Sequence, residues 1–432
     1  MYGVSTLWAT EATAMTDVTG SIFISYRRSP ARPSGDEEAR LVRDALRDRG
    51  VPTWRDLDDL SPDPTEDSLR TTLSSREIAG AVLLISPEVE MSDMIRHVEA
   101  PEILKRFQKR DGFFVQPVLI NLDYKDVDRV LNYPGDFQSI SNFNIHRIKK
   151  ESLDNDDARQ IAKAVLNQRL GATCSHDSNR KFSIGLYSRF SPSAEGLTLL
   201  HNFTPYFTNR DAAPMAYKSM ETALFDAATA LTKTSNQSPI SIVARGNAAL
   251  PLGVLFGAVY APFVFDLVWK QSSPWGDLGN WSIRSGTADI ATIIDDPKGC
   301  LTSEDLLLAI SVNALVDSAA TEYAKEMNLS LRAIISVGLQ DDPLQRGHSI
   351  TPQQGLKIAR DAISAARNLK DQLRMKRANL HLFLACPLAL AVLIGQDLNT
   401  FGECFVYEHF SDRTPSYALV HRFRPSSFTY QV

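Results

Sequence analysis

Short β-rich runs alternate with amphipathic stretches over the first third of the chain. "SIFISY" (Ser21–Tyr26) reads as a strand and "EEARLVRDALRDRG" as a helix that stops at Gly50. "VPTW" is a second strand, followed by the acidic, proline-containing loop "RDLDDLSPDPTED" and the helix "SLRTTLSSREIAG". "AVLLIS" is apolar on both faces, as a central parallel strand is. "MSDMIRHVEAPEIL" (Met91–Leu104) begins a further helix, and "FFVQPVLIN" is a fourth strand. Strands alternating with helices predict a parallel α/β sheet covered on both sides. The run ends in "KKESLDNDDARQIAKAVLNQRLGATCSHDSNRK", a last helix and a polar linker over 171–180.

The remainder, 181–432, carries an internal repeat. "PISIVARGNAALPLGVLFGAVYAPFVFDLVW" from Pro239 and "ANLHLFLACPLALAVLIGQDLNTFGECFVYEHF" from Ala378 share one order, at an offset of about 140 residues. Each is a strand, a turn of small or polar residues, an Ala/Leu/Gly helix and another strand. Upstream of each lies a strand ("KFSIGLYSRF" or "LRAIISVGLQ") and a long amphipathic helix. Two Rossmann-like units fused in tandem, about 181–300 and 301–432, explain this pattern. Small and polar residues interrupt the longest apolar runs, so both read as buried α/β core rather than membrane spans.

The 432 residues exceed one compact core. A net charge of −5 argues against broad DNA binding but leaves room for a nucleotide in a local pocket. The four cysteines, Cys174, Cys300, Cys386 and Cys404, form no C-x-x-C pair, which argues against a metal site and for a cytoplasmic setting. Residues 1–20 lack a signal-peptide pattern and read as a disordered leader. No G-x-G-x-x-G follows a strand, which speaks against a dinucleotide-dependent dehydrogenase.

Parallel sheets bind ligands at the carboxyl ends of their strands, where helix N-termini favour phosphate. In the repeat those turns are "ARGNAA", with Arg245, Gly246 and Asn247, and "ACPLA", with Ala385, Cys386 and Pro387. Small residues let backbone amides approach a ligand; Arg245 suits phosphate, and Asn247 suits a base edge or a helix cap. Tyr187–Phe190, including Arg189, would form part of the rim, and Arg346 and His348 lie in a nearby loop. Each turn alone also fits plain strand-to-helix packing; the duplication favours a composite floor for a ligand with repeated phosphates.

"SIFISYRR", "GVPTWRDLDDLSP" and "AVLLISPEVEMSDMIRHVE" occur in that order within 21–170, which resembles a TIR domain. The resemblance implies a flavodoxin-like fold and, in the enzymatic group, cleavage of NAD⁺ at the nicotinamide bond. There the catalytic Glu ends a pattern like S-x-W-x-x-x-E. Here Ser92 and Glu99 fit it with Met94 for the aromatic and one residue too many; Glu102, one turn on, is the second candidate. The resemblance also implies Ser25, Tyr26, Arg27, Trp54, Asp56 and Ser86 around NAD⁺, which is a substrate, so no cofactor is implied.

"HLFLACPLALAVLIGQDLN" followed by "CFVYEHF", with Tyr407 and Glu408 inside it, resembles the SAVED domain, a fusion of two CARF-like units. The resemblance implies a cyclic oligonucleotide activator, expected to be a trinucleotide; it assigns no individual contacts, and Tyr407 joins the candidates for the site. Together the two resemblances imply a CBASS anti-phage effector: a NAD⁺ hydrolase switched on when ligand assembles copies head to tail into a filament. The alternative is a TIR scaffold without activity that recruits another effector.

Overall fold

A computed structural model describes residues 19–28, 34–54, 66–131, 143–176, 181–190, 196–207, 214–235, 238–273, 276–283, 302–338 and 350–430. Asp56, Arg346, His348, Cys300, residues 55–65 and all but the last two residues of the leader expected over 1–20 lie outside these residues. The chain divides into two compact units, Met1–Leu46 with Val51–Thr173, and Arg47–Gly50 with Cys174–Val432.

The first unit runs β1 (Ser21–Ser25), α1 (Ser34–Asp48), β2 (Thr53–Trp54), α2 (Glu66–Ser74), β3 (Ile78–Ile85), α3 (Ala100–Gln108), β4 (Phe114–Ile120), α4 (Val127–Leu131), β5 (His146–Ile148) and α5 (Asn155–His176). The sheet order is β2-β1-β3-β4-β5 and every pairing is parallel, the strand order of flavodoxin-like doubly wound sheets. All eight residues of β3 are buried, as its unbroken apolar run requires. That strand begins at Ile78, earlier than the sequence pattern places it. Gly171–His176 is the end of α5 rather than linker, because nothing in "RLGATCSH" stops the helix.

The second unit holds two sheets. The first contains β6 (Phe182–Tyr187), β7 (Leu199–Asn202), β8 (Ile240–Asn247), β9 (Phe265–Ser273) and β10 (Gly276–Trp281), with helices α6 (Pro214–Thr234) and α7 (Leu250–Val259). The second contains β11 (Asp305–Ser311), β12 (Leu331–Gly338), β13 (Asn379–Ala385), β14 (Cys404–His409) and β15 (Tyr417–Phe423). Its helices are α8 (Asp317–Glu326), α9 (Pro352–Gln372) and α10 (Leu388–Gln396). α9 starts where Thr351 and Gln354 form a reciprocal capping box.

The orders β7-β6-β8-β9-β10 and β12-β11-β13-β14-β15 match strand for strand, each with three parallel pairings and one antiparallel edge. One finding differs from the sequence reading. "LRAIISVGLQ" forms the outer strand β12 and corresponds to β7; the central counterpart of β6 is β11, "DLLLAIS", which the repeat had not exposed.

α7 and α10 pack the two halves together. A Cβ on Gly257 would lie 2.0 Å from Val392 O, and one on Gly395 would lie 2.1 Å from Val254 O. These are reciprocal positions of the repeat, so the helices cross backbone to backbone about a pseudo-twofold axis. No helix among the described residues is long and apolar enough to cross a membrane.

Candidate functional site

The carboxyl ends of β1 and β3 gather most of the described candidates in the first unit. Ser25 closes β1, buried, and Ser25 Oγ donates to Glu99 Oε2 at 2.5 Å. Glu99 is 7% exposed. Tyr26 follows, buried, and Arg27 Nη1 donates to Glu88 O, holding the 3₁₀ turn Pro87–Met91. Ser86, half-buried, precedes that turn.

Glu99 owes its direction to an uncommon backbone. Ile95–Glu99 is a π turn that leads directly into α3. Such a turn absorbs one extra residue without ending the helix, and it occurs often at functional sites. Deeper in α3, Arg106 Nη1 donates to Leu73 O at 2.6 Å and also to Ser75 O, so the helix is fastened to the end of α2. Burial pushes the Arg106 guanidinium down from its ordinary value, but Asp111 at 3.7 Å helps keep it charged.

Glu102 points elsewhere. It accepts from Arg70 Nη1 of α2 and lies 3.7 Å from Lys105 Nζ. Trp54 is a packing residue: its ring stacks on Phe23 at 4.9 Å with the planes 15° apart. The structure therefore brings Ser25, Glu99 and the Tyr26–Arg27 turn together, turns Glu102 toward Arg70, and leaves Trp54 half-buried against Phe23 on the neighbouring strand.

In the second unit, Tyr187 closes β6 and Arg245, Gly246 and Asn247 close β8. Gly246 is required there, since a Cβ would meet Leu186 O at 1.9 Å. Arg245 and Asn247 are exposed. The N-cap of α7 is Ala249, with no side-chain cap from Asn247; the N–H of Ala249 donates to Ser188 Oγ at 2.9 Å. Ser188 lies within the Tyr187–Phe190 stretch read as rim, but its bond to the start of α7 is not legible there, because a lone Ser after a strand carries no helical signal.

Ala385 closes β13, and Pro387 is the N-cap of α10. Cys386 between them is buried, and burial pushes its thiol up to about 12, so it stays protonated. Tyr407 is core rather than rim. Its ring stacks on Phe383 at 4.1 Å, and its hydroxyl bonds His381 Nδ1 at 2.7 Å. The alternation along β14 sends Tyr407 inward and leaves Glu408, its neighbour, on the other face.

Glu408 Oε1 accepts from Arg189 Nη2 at 2.8 Å, across the two halves. Gln271 of β9 makes the matching reach in the other direction: its Oε1 accepts from Ala389 N, in the first turn of α10, at 3.1 Å. Both pairs join the carboxyl edge of one sheet to the other half.

Residues 225–421 match the family model "SMODS-associated and fused to various effectors sensor domain", SAVED, so this part of the chain carries a SAVED domain. No curated protein matches the chain. Among solved structures, the chain is similar to the Acinetobacter baumannii Cap4 SAVED/CARF-domain containing receptor with the cyclic trinucleotide 2'3'3'-cAAA. The identity is 12% and the TM-score 0.45, over 84% of this chain and 86% of that one. The Moraxella osloensis Cap4 SAVED/CARF-domain containing receptor is similar at 11% identity and a TM-score of 0.43, with the same coverage of both chains.

Proposed function

We propose that this chain is a NAD⁺ hydrolase of TIR type, gated by a cyclic oligonucleotide held in its SAVED domain. The observation that carries the enzymatic half is the buried Ser25–Glu99 pair at 2.5 Å, at the carboxyl ends of two adjacent parallel strands. The surplus residue between Ser92 and Glu99, relative to the TIR pattern, coincides with the π turn. That turn restores the helical phase which the longer spacing would otherwise lose.

Cleaving the nicotinamide bond places oxocarbenium-like charge on the ribose. A fixed carboxylate stabilises that charge, and burial strengthens the interaction. Ser25 would orient Glu99, and the Tyr26–Arg27 turn would border the dinucleotide. On the ligand side, the SAVED match and two carboxyl edges facing each other support a cyclic oligonucleotide, taken as a trinucleotide. Ligand-driven head-to-tail assembly into a filament would then switch on hydrolysis, as an anti-phage effector requires if an idle copy is not to deplete NAD⁺.

The test is nicotinamide release from NAD⁺, with and without cyclic di-, tri- and tetranucleotides. Release that needs ligand and falls about 10²- to 10³-fold in Glu99→Gln supports this reading. Loss in Glu102→Gln with Glu99→Gln active would move the role to Glu102. The scaffold reading draws on one observation, that a carboxylate so buried and hydrogen-bonded is also how a structural Glu is held. It gains if no assembled state releases nicotinamide.

A further inference from the structure

The two halves of the SAVED-containing unit are alike enough to be compared residue by residue. Leu267 pairs with Ile242, and Cys404 pairs with Leu380, the equivalent of Ile242. Counting along each strand makes Gln271 and Glu408 equivalent positions. The helix N-termini align likewise: Ala249 and Pro387 are the N-caps, so Pro251 is equivalent to Ala389.

Symmetry would have each strand residue cap the opposite helix. Gln271 does this, accepting from Ala389 N. Glu408 cannot, because its symmetric target is Pro251, which has no N–H to give. Glu408 accepts instead from Arg189, which follows β6 at the carboxyl edge. The Arg189 side chain is 28% exposed, and its buried Nε makes no hydrogen bond, so the guanidinium keeps donor capacity that one carboxylate oxygen does not use.

From these positions we infer that Glu408 is an internal stand-in for a ligand phosphate. It holds Arg189 while the site is empty, and an anionic ligand displaces it. A guanidinium fork binds phosphate and carboxylate by the same bidentate geometry, so the two compete for one donor set. The displaced contact links the halves, so occupancy changes a bond between them. This inference rests on the cyclic-oligonucleotide reading and adds to it how the site is regulated.

The experiment is calorimetric titration of the full chain with cyclic di-, tri- and tetra-adenylate, and with tripolyphosphate as a probe carrying charge without bases. Glu408→Gln is expected to tighten binding about tenfold, and Arg189→Ala to weaken it at least as much. With Arg189 removed, Glu408→Gln should no longer tighten it. If the unaltered chain binds a cyclic adenylate and Glu408→Gln binds it no better, the competition is overturned and the ligand reading stands. If no cyclic adenylate binds, the ligand reading falls. Tripolyphosphate on the same variants then decides the competition alone, and equal affinities would overturn it. Should Glu408→Gln fail to fold, a crystal structure of the unaltered chain with bound probe decides: Arg189 on the anion and apart from Glu408 is expected, and an intact pair overturns the inference.

Discussion

The two halves of the second unit agree in topology and differ in polarity. Gly257 and Gly395 occupy reciprocal places in the α7–α10 crossing, and Val254 and Val392 receive them. Away from that axis the match fades. The second half threads a polar chain from its edge into its sheet: Asn379 Nδ2 donates to Asp305 Oδ1 at 2.8 Å, His381 Nε2 lies 3.7 Å from Asp305 Oδ2, and His381 Nδ1 meets Tyr407 Oη at 2.7 Å. By strand register the residues of the first half that correspond to Asn379, Asp305, His381 and Tyr407 are Ser241, Lys181, Val243 and Lys270, which cannot form such a chain. The crossing demands small residues from both copies, because neither helix can yield alone. The sheet interiors and edges are free to diverge, and there the copies have taken separate roles.

The comparison breaks most completely at its axis. Gly257→Leu puts a side chain where Val392 O already sits 2.0 Å from a bare Cβ. Leu favours the helix over Gly by a little under 1 kcal/mol, but overpacking costs about 3 kcal/mol or more, so the clash wins. Chemical denaturation should show that loss, and Gly395→Leu should match it within about 1 kcal/mol if the axis is truly reciprocal.

Tyr407→Phe removes one end of the polar chain and leaves the His381 side unsatisfied. A loss of about 1–3 kcal/mol is expected, with ligand affinity unchanged, since Tyr407 is core. A large drop in affinity would return Tyr407 to the rim. Ala389→Pro imposes the first half's residue on the second and deletes the amide that Gln271 accepts from. It should cost about 1 kcal/mol, because proline is tolerated in a first helical turn and only the cap is lost.

The smallest effect concerns acid. The His381 ring and the Asn379 amide hold the Asp305 carboxyl below the usual aspartate range. A depressed folded-state pKa adds stability that is fully present above the unfolded aspartate value, near 3.9, and is lost as pH falls through the folded value. Asp305→Asn should therefore melt a few degrees lower than the unaltered chain near pH 7, and the gap should narrow below about pH 4. A gap that stays constant with pH would mean the carboxylate's charge is irrelevant.

Local pattern carried much of this architecture. The apolar run after Asn247 separates into α7 and β9, and that around Leu380 into β13 and α10, at the small and polar residues where the sequence places the turns. Glu99 was legible as a candidate from its place after an "IS" strand. The π turn was not, since its signal is one surplus residue and not a composition. β11 escaped because a seven-residue strand with only five apolar residues and no flanking repeat looks like many other runs. Tyr407 reads from sequence as a rim candidate because aromatic type says nothing of the stacked ring beside it. The Arg189–Glu408 pair spans 219 positions, far beyond any periodicity. Asp56, Arg346 and His348 lie outside the described residues and take no part in the comparison.

Where Gly257 and Gly395 meet the facing backbone of the α7–α10 crossing, no side chain lies between the helices, so at those two points there is nothing to re-rotamer and little to shear. Both sheets ride on a single stiff spindle. A ligand of the proposed kind, bound at their rims, would therefore leave that hub still, and its effect would pass outward through loops and strand ends rather than by parting the lobes like a clamshell.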